Sequence, residues 1–219
     1  MSEQLLLLLA EASWQTLYMV AVSGLIGTAL GLPLGVLLAT TGRGELLESP
    51  AFNRIAGAIV NATRSTPFII LVVAIIPFTR LVAGTSIGTT AAIVPLTVAA
   101  VPFIARVIET AIREVDQGLV EAAEAMGAAP RQIITKVLMP EALPGIVAGL
   151  TLTAVSLIGY SAMVGAVGGG GLGDLGIRYG YQRFRPEVMA AVVIILIAFV
   201  QIVQSLGDNL ARRVNKRTL

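Results

Sequence analysis

The 219-residue chain has no cysteine and no histidine. Disulfides, thiol chemistry and the usual zinc and haem ligands are therefore excluded. An enzyme built on this sequence would have to work with Ser, Asp, Glu, Lys or Tyr alone. Charge is also scarce: 13% of residues are Asp, Glu, Lys or Arg, against about 25% in a soluble domain. No GxxxxGK[ST] occurs, so no P-loop cradles nucleotide phosphates. Nor is there the buried acidic cluster expected of a proton- or sodium-coupled carrier.

What the chain does have is apolar length. Fully 56% of residues are apolar, and mean hydropathy is +0.87. Five segments, near 14–40, 57–79, 88–108, 142–165 and 188–207, approach the ~20 residues that a bilayer-crossing helix needs. The expected fold class is an all-α integral membrane protein with five transmembrane helices in a single domain over 1–219. The opening MSEQLLLLLAEASW has neither a basic n-region nor a small-residue cleavage site. It reads as a short amphipathic or interfacial lead-in to the first span.

The net charge of +2 says little about partners, because in membrane proteins placement of positive charge outweighs its sum. With five spans, Arg43, Arg54, Arg106, Arg113, Arg131, Lys136, Arg212, Arg213, Lys216 and Arg217 fall on one side. Arg80, Arg178, Arg183 and Arg185 fall on the other. The positive-inside rule gives an N-out, C-in topology. Trp14, Tyr18, Tyr179 and Tyr181 then gather at the outer interface. Ridges of small residues mark packing faces: Gly27, Gly31 and Gly35 in the first span, and Gly145 and Gly149 in the fourth. The fourth-span face continues through Thr153, Ser156 and Tyr160, growing more polar, which suits a substrate-facing wall as well as a packed one. Pro33, Pro67, Pro77, Pro95 and Pro102 lie inside spans and are expected to kink them.

GAVGGGGLGDLG contains a literal GxGxxG at Gly171, Gly173 and Gly176. That pattern marks a dinucleotide site only after a strand in a βαβ unit, so here it reads as an irregular, close-packed outer connection, with a re-entrant one as the alternative. Arg106 and Glu109 are spaced to pair along a helix.

The polar stretch EAAEAMGAAPRQIITKVLMPEALPGI, residues 121–146, is out of keeping with its neighbours. LVEAAEAM consists of good helix formers, with Leu119, Ala122, Ala123 and Met126 on one face and Glu121 and Glu124 beside it. Gly127 suits the left-handed position past a helix end, and Pro130 the first turn of another helix. The expected form is helix, elbow, helix across the cytoplasmic face, the second helix running through IITKVLM to Pro140.

Glu121, Ala122, Ala123, Gly127 and Pro140 resemble the EAA loop of bacterial ABC importer permeases, with Val137 and Met139 in place of the pattern's Ile and Leu. RSTPFIIL, AAIVPLT, PFIARV, VLMPEALPG and GYSAM are similar to methionine importer permeases in particular. The resemblance covers nearly the whole chain. It implies a membrane subunit that forms a translocation pathway by alternating access, with no catalytic residue, cofactor or metal of its own. ATP and Mg would reside on a separate ATPase. A coupling helix around 117–129, within the segment 109–141, would dock on that ATPase through Glu121, Ala122, Ala123, Glu124, Met126, Gly127 and Pro140. The implied partners are a second copy of the chain, two ATPases and an extracytoplasmic substrate-binding lipoprotein, in the inner membrane and without nucleic acid. Ser156, Tyr160, Ser161 and Met163 are expected to line the outer gate. A secondary carrier or channel for small polar solutes is the alternative class.

Overall fold

A computed structural model describes residues 3–215. Lys216 and Arg217, two of the cations used for orientation, lie outside them. The chain forms α1 (Glu3–Thr40), α2 (Pro50–Ser65), α3 (Phe68–Ala74), α4 (Ile76–Ala83), α5 (Thr89–Arg113), α6 (Gln117–Ala125), α7 (Pro130–Ile133), α8 (Met139–Ala166), α9 (Gly171–Leu175) and α10 (Pro186–Val214). Two π turns, Ile134–Leu138 and Gly176–Tyr181, follow α7 and α9. No strand forms among the described residues.

Helix packing gives the directions. A Cβ added at Gly27 would lie 2.8 Å from the Ala100 Cβ, one at Gly31 2.9 Å from the Val101 carbonyl oxygen, and one at Gly35 2.5 Å from the Ala105 carbonyl oxygen. Both numberings rise together, so α1 and α5 run parallel with their backbones almost in contact. Two parallel helices must be joined by a return crossing. Asn61 meets Arg106 and Arg64 meets Phe103, so α2 runs antiparallel to α5 and supplies that return. On α8, Gly145 faces Ala111 and Gly149 faces Val107, so α8 also opposes α5. Gly207 of α10 faces Thr151 of α8. Small residues on the α1–α5, α5–α8 and α8–α10 seams let those backbones close up where hydrophobicity gives no force between helices.

The second expected span, 57–79, is not one helix. It breaks at Thr66–Pro67, where α2 and α3 meet at 105°, and bends again at Ile75 before α4. The residue before a proline is pushed out of the helical region, and Thr66 is extended at φ −80°, ψ 126°. Pro67 and Pro77 therefore begin helices, whereas Pro33, Pro95 and Pro102 remain inside unbroken ones.

Two further expectations are corrected. The N-terminal stretch is not a separate lead-in: α1 runs unbroken from Glu3 for 38 residues, about 57 Å at 1.5 Å per residue. Leu5, Leu9 and Ala12 bury against Leu172, Leu175, Val188 and Val192. The glycine-rich connection is close-packed, as expected, but helical rather than irregular. Gly168, Gly170 and Gly171 take positive φ, turning the chain back so that α9 enters the bundle with Leu172 fully buried. There the Gly171 and Leu172 amides donate to Gln15 Oε1 at 2.8 Å and Thr16 Oγ1 at 2.9 Å on α1. Those side chains satisfy donors that a helix start leaves unpaired.

Candidate functional site

At the end of the bundle where α1 and α5 finish, α6 begins at Asp116, whose carboxylate accepts from the Gly118 amide at 2.7 Å. Such an N-cap is worth about 1 kcal/mol. α6 ends with Gly127 at φ +75°. The Gly127 amide donates to the Glu124 carbonyl at 2.8 Å, and the Ala128 amide to the Ala123 carbonyl at 3.1 Å. This bond pair is a Schellman cap. Three residues on, Pro130 opens α7, and Gln132 Oε1 accepts from the Ala129 amide at 2.9 Å. Helix, elbow and helix are present.

The second helix does not stop at Pro140. It continues through the π turn Ile134–Leu138 into α8, giving an unbroken helical rod over Pro130–Ala166. The Met139 amide reaches back five residues to the Ile134 carbonyl. This wider turn immediately precedes Pro140, which lacks an amide hydrogen and crowds the preceding carbonyl.

Of the four residues on the expected α6 face, only Ala123 is buried. It joins the main core with Val115, Ile133 and Ile134. Leu119 is 42% and Met126 81% exposed, and Glu121, Ala122, Glu124 and Gly127 also face outward. Glu121 and Glu124 line an open cleft of about 710 Å³ between α6 and the 42–46 loop, together with Arg43, Glu45 and Arg113. The loop is pinned by Asn53, whose amide donates to the Leu38 carbonyl at 2.7 Å.

Glu109, 3% exposed, forms a clasp above the cleft. Its carboxylate takes Arg106 at 2.7 Å and Arg113 at 2.9 Å, and Arg106 also reaches Asn61 Oδ1 on α2 at 2.5 Å. The Arg106 pairing follows the sequence expectation. Arg113, i+4 from Glu109, and Asn61, 45 residues from Arg106, were missed. The first was legible from helical spacing; the second required the packing of α2 on α5. Glu109→Gln leaves two cations without their counter-charge and is expected to cost about 1–3 kcal/mol, read as a lower unfolding midpoint in detergent. Arg113→Ala, with its side chain half exposed, should cost less.

The four expected gate residues do not converge. Ser156, Tyr160 and Met163 share one face of α8. Ser161 is 1% exposed on another face, its hydroxyl donating to the Ile158 carbonyl at 2.7 Å. The Tyr160 ring stacks on Phe68 at 4.4 Å and 14°, across the break in the second crossing. It borders a recess shared with Ala99 and Phe103, nearer the middle of α5 than its Thr89 end.

No group of three or more acidic, His or Cys side chains is placed to hold a metal among the described residues. A helical bundle with four helices fit to cross a membrane and a fifth, broken crossing among the described residues, carrying an exposed helical elbow, is the architecture of a multi-pass membrane protein. The family model for binding-protein-dependent transport system inner membrane components matches residues 31–216, and the chain belongs to that family. It is 61% identical over 210 residues to a probable D-methionine transport system permease protein of Vibrio cholerae, covering 96% of this chain and 93% of that one. To the D-methionine transport system permease protein of Escherichia coli K12 it is 56% identical over 165 residues, 75% of this chain and 76% of that one. A chain of the inward-facing MetNI methionine ABC transporter superposes with a TM-score of 0.96 at 52% identity, covering 99% of this chain and 100% of that one. An amino acid ABC transporter chain at 20% identity shares the fold, with a TM-score of 0.79.

Proposed function

We infer that this chain is the membrane-spanning permease subunit of an ATP-driven ABC importer for methionine, a multi-pass protein of the bacterial inner membrane. The observation that carries this reading is the end-to-end agreement with the methionine transporter chain. Two copies would form the translocation pathway. Two ATPases on the cytoplasmic face would hold the ATP and Mg, and an extracytoplasmic binding protein would deliver the solute. The chain itself does no covalent chemistry.

The topology we propose is N-out, C-in, with residues 109–141 in the cytoplasm. The Lys and Arg distribution supports it, and the parallel run of α1 and α5 fits the return crossing between them that it needs. α6 is then the coupling helix, docking through Glu121, Ala122, Ala123, Glu124, Met126, Gly127 and Pro140. Exposure of Met126 and Leu119 at a water-facing elbow supports a partner covering them. Because α7, the π turn and α8 form one rod, a push on the elbow passes directly into the fourth crossing. ATP-driven approach of the ATPases would draw the two coupling helices together and rock the bundle between inward- and outward-facing states. Ser156, Tyr160 and Met163 would line the pathway, with Ser161 behind them.

Glu121→Lys reverses a charge on the exposed face of α6 and should lower methionine uptake per ATP hydrolysed roughly tenfold while the chain still inserts. The measurement is methionine uptake per ATP hydrolysed by the reconstituted complex. Unchanged coupling would remove Glu121 from the interface.

A further inference from the structure

We propose that Arg64, with the aromatic rings around it, is a transient station for the carboxylate of the solute as it crosses. This deepens the importer reading and rests on it. The residue lies in the last turn of α2, just before the break. Its guanidinium stands 5.8 Å from the centre of the Phe103 ring. Phe103 lies five residues inside the inner end of the expected third span, 88–108, about 7.5 Å along the helix. Arg64 is thus a cation just inside the span, one helical turn beyond the Arg106–Asn61 contact.

It has no ion pair among the described residues. The buried carboxylate nearest in sequence register, Glu109, is already shared by Arg106 and Arg113. An uncompensated guanidinium at membrane depth is costly unless it faces a wet pathway, and Arg64 is exposed on the bundle surface. A charge kept there needs an occupant, and a planar, always-protonated fork of donors fits a carboxylate.

The surroundings complete the match to an amino acid with an apolar side chain. The recess beside Arg64 is lined by Phe68, Phe103 and Tyr160. The first and last of these are stacked, and aromatic faces and edges suit apolar and thioether groups. The Tyr160 hydroxyl makes no hydrogen bond to any described residue. By contrast, the Thr63 and Thr66 hydroxyls are committed to the Ile59 and Ala62 carbonyls at 3.0 and 3.1 Å. Arg64 is therefore the charged anchor and Tyr160 the remaining free polar group. At about 130 Å³ the recess is well below the roughly 300–1,000 Å³ of sites that enclose a ligand. Its size suits brief, weak contact on a path, which a solute must be able to leave.

The absence of cysteine from the chain makes a direct test available. In the reconstituted complex with a cysteine-free ATPase, Thr63→Cys reports on the recess through its rates with anionic and cationic methanethiosulfonate reagents. The anionic reagent should be favoured, and adding Arg64→Gln should lower the anion-to-cation rate ratio roughly tenfold. In the uptake arm, Arg64→Gln should slow ATP-driven methionine transport roughly tenfold or more. Arg64→Lys, which keeps the charge without the fork, should fall between, and a copurifying ATPase shows that each variant assembles. An introduced thiol unreactive in every nucleotide state, a ratio indifferent to Arg64, or wild-type uptake by Arg64→Gln would overturn the station. Failure of the unmodified complex to take up methionine would instead overturn the importer reading, and the thiol ratio would still decide whether the recess selects anions.

Discussion

Gly127→Arg is expected to abolish ATP-driven transport, lowering it roughly 100-fold, the loss typical of a disrupted interface centre. Gly127→Ala should change it little. The contrast follows from where the cost arises. Gly127 has φ +75°, and an added Cβ meets no heavy atom within 4 Å. Within this chain any L-residue there costs about 1–2 kcal/mol for the left-handed backbone, and no clash follows. Alanine brings only that cost. Arginine adds a long cation to the exposed elbow, where the partner ATPase would have to approach α6 closely. Detergent extraction followed by copurification with the ATPase, beside transport in proteoliposomes, separates the two costs. An arginine variant that assembles and transports normally would show that nothing docks at the elbow.

Gly35→Ala should destabilise the bundle where Gly57→Ala stabilises it, although both replace a helical glycine by the better helix former. Within a helix that exchange ordinarily gains about 0.5–1 kcal/mol. At Gly57, on α2, a Cβ meets nothing within 4 Å, so the gain should appear. At Gly35 it would lie 2.5 Å from the Ala105 carbonyl oxygen and 2.8 Å from the Ile108 Cβ. Helix α1 would have to move off α5, an overpacking cost of about 1–3 kcal/mol. Because α1 and α5 form the longest seam in the bundle, larger residues at Gly35 should leave little folded protein. Unfolding midpoints of the two variants, measured side by side in one detergent, should shift in opposite directions. A shift of the same sign would mean that the close approach of the two helices is not maintained in the membrane-extracted protein.

Much of this was legible from the sequence, for physical reasons that differ by element. The elbow could be read because its signals are local: Gly127 and Pro130 each act within a few residues of themselves, as does the Asp116 cap, which was missed. The glycine ridge of α1 was equally plain, but its partner was not, since which helix closes on Gly31 depends on the whole bundle. The second crossing misled because hydropathy measures apolar length and not direction. RSTPFIILVVAIIPFT scores as one run, while Thr66–Pro67 and Ile75 turn it twice. The same break brings Phe68 onto Tyr160 and Arg64 onto Phe103, contacts without a sequence signal. Pro140 misled for the opposite reason, because a π turn lets the helix run through it. Ser161 could have been set apart from Ser156, Tyr160 and Met163 by helical spacing alone.

The most direct test is methionine uptake into proteoliposomes containing the purified chain with and without its ATPase and binding protein. Uptake should require all three together with ATP and Mg inside the compartment equivalent to the cytoplasm. Uptake by the chain alone, driven by an ion gradient, would contradict the importer reading and return the chain to the class of secondary carriers.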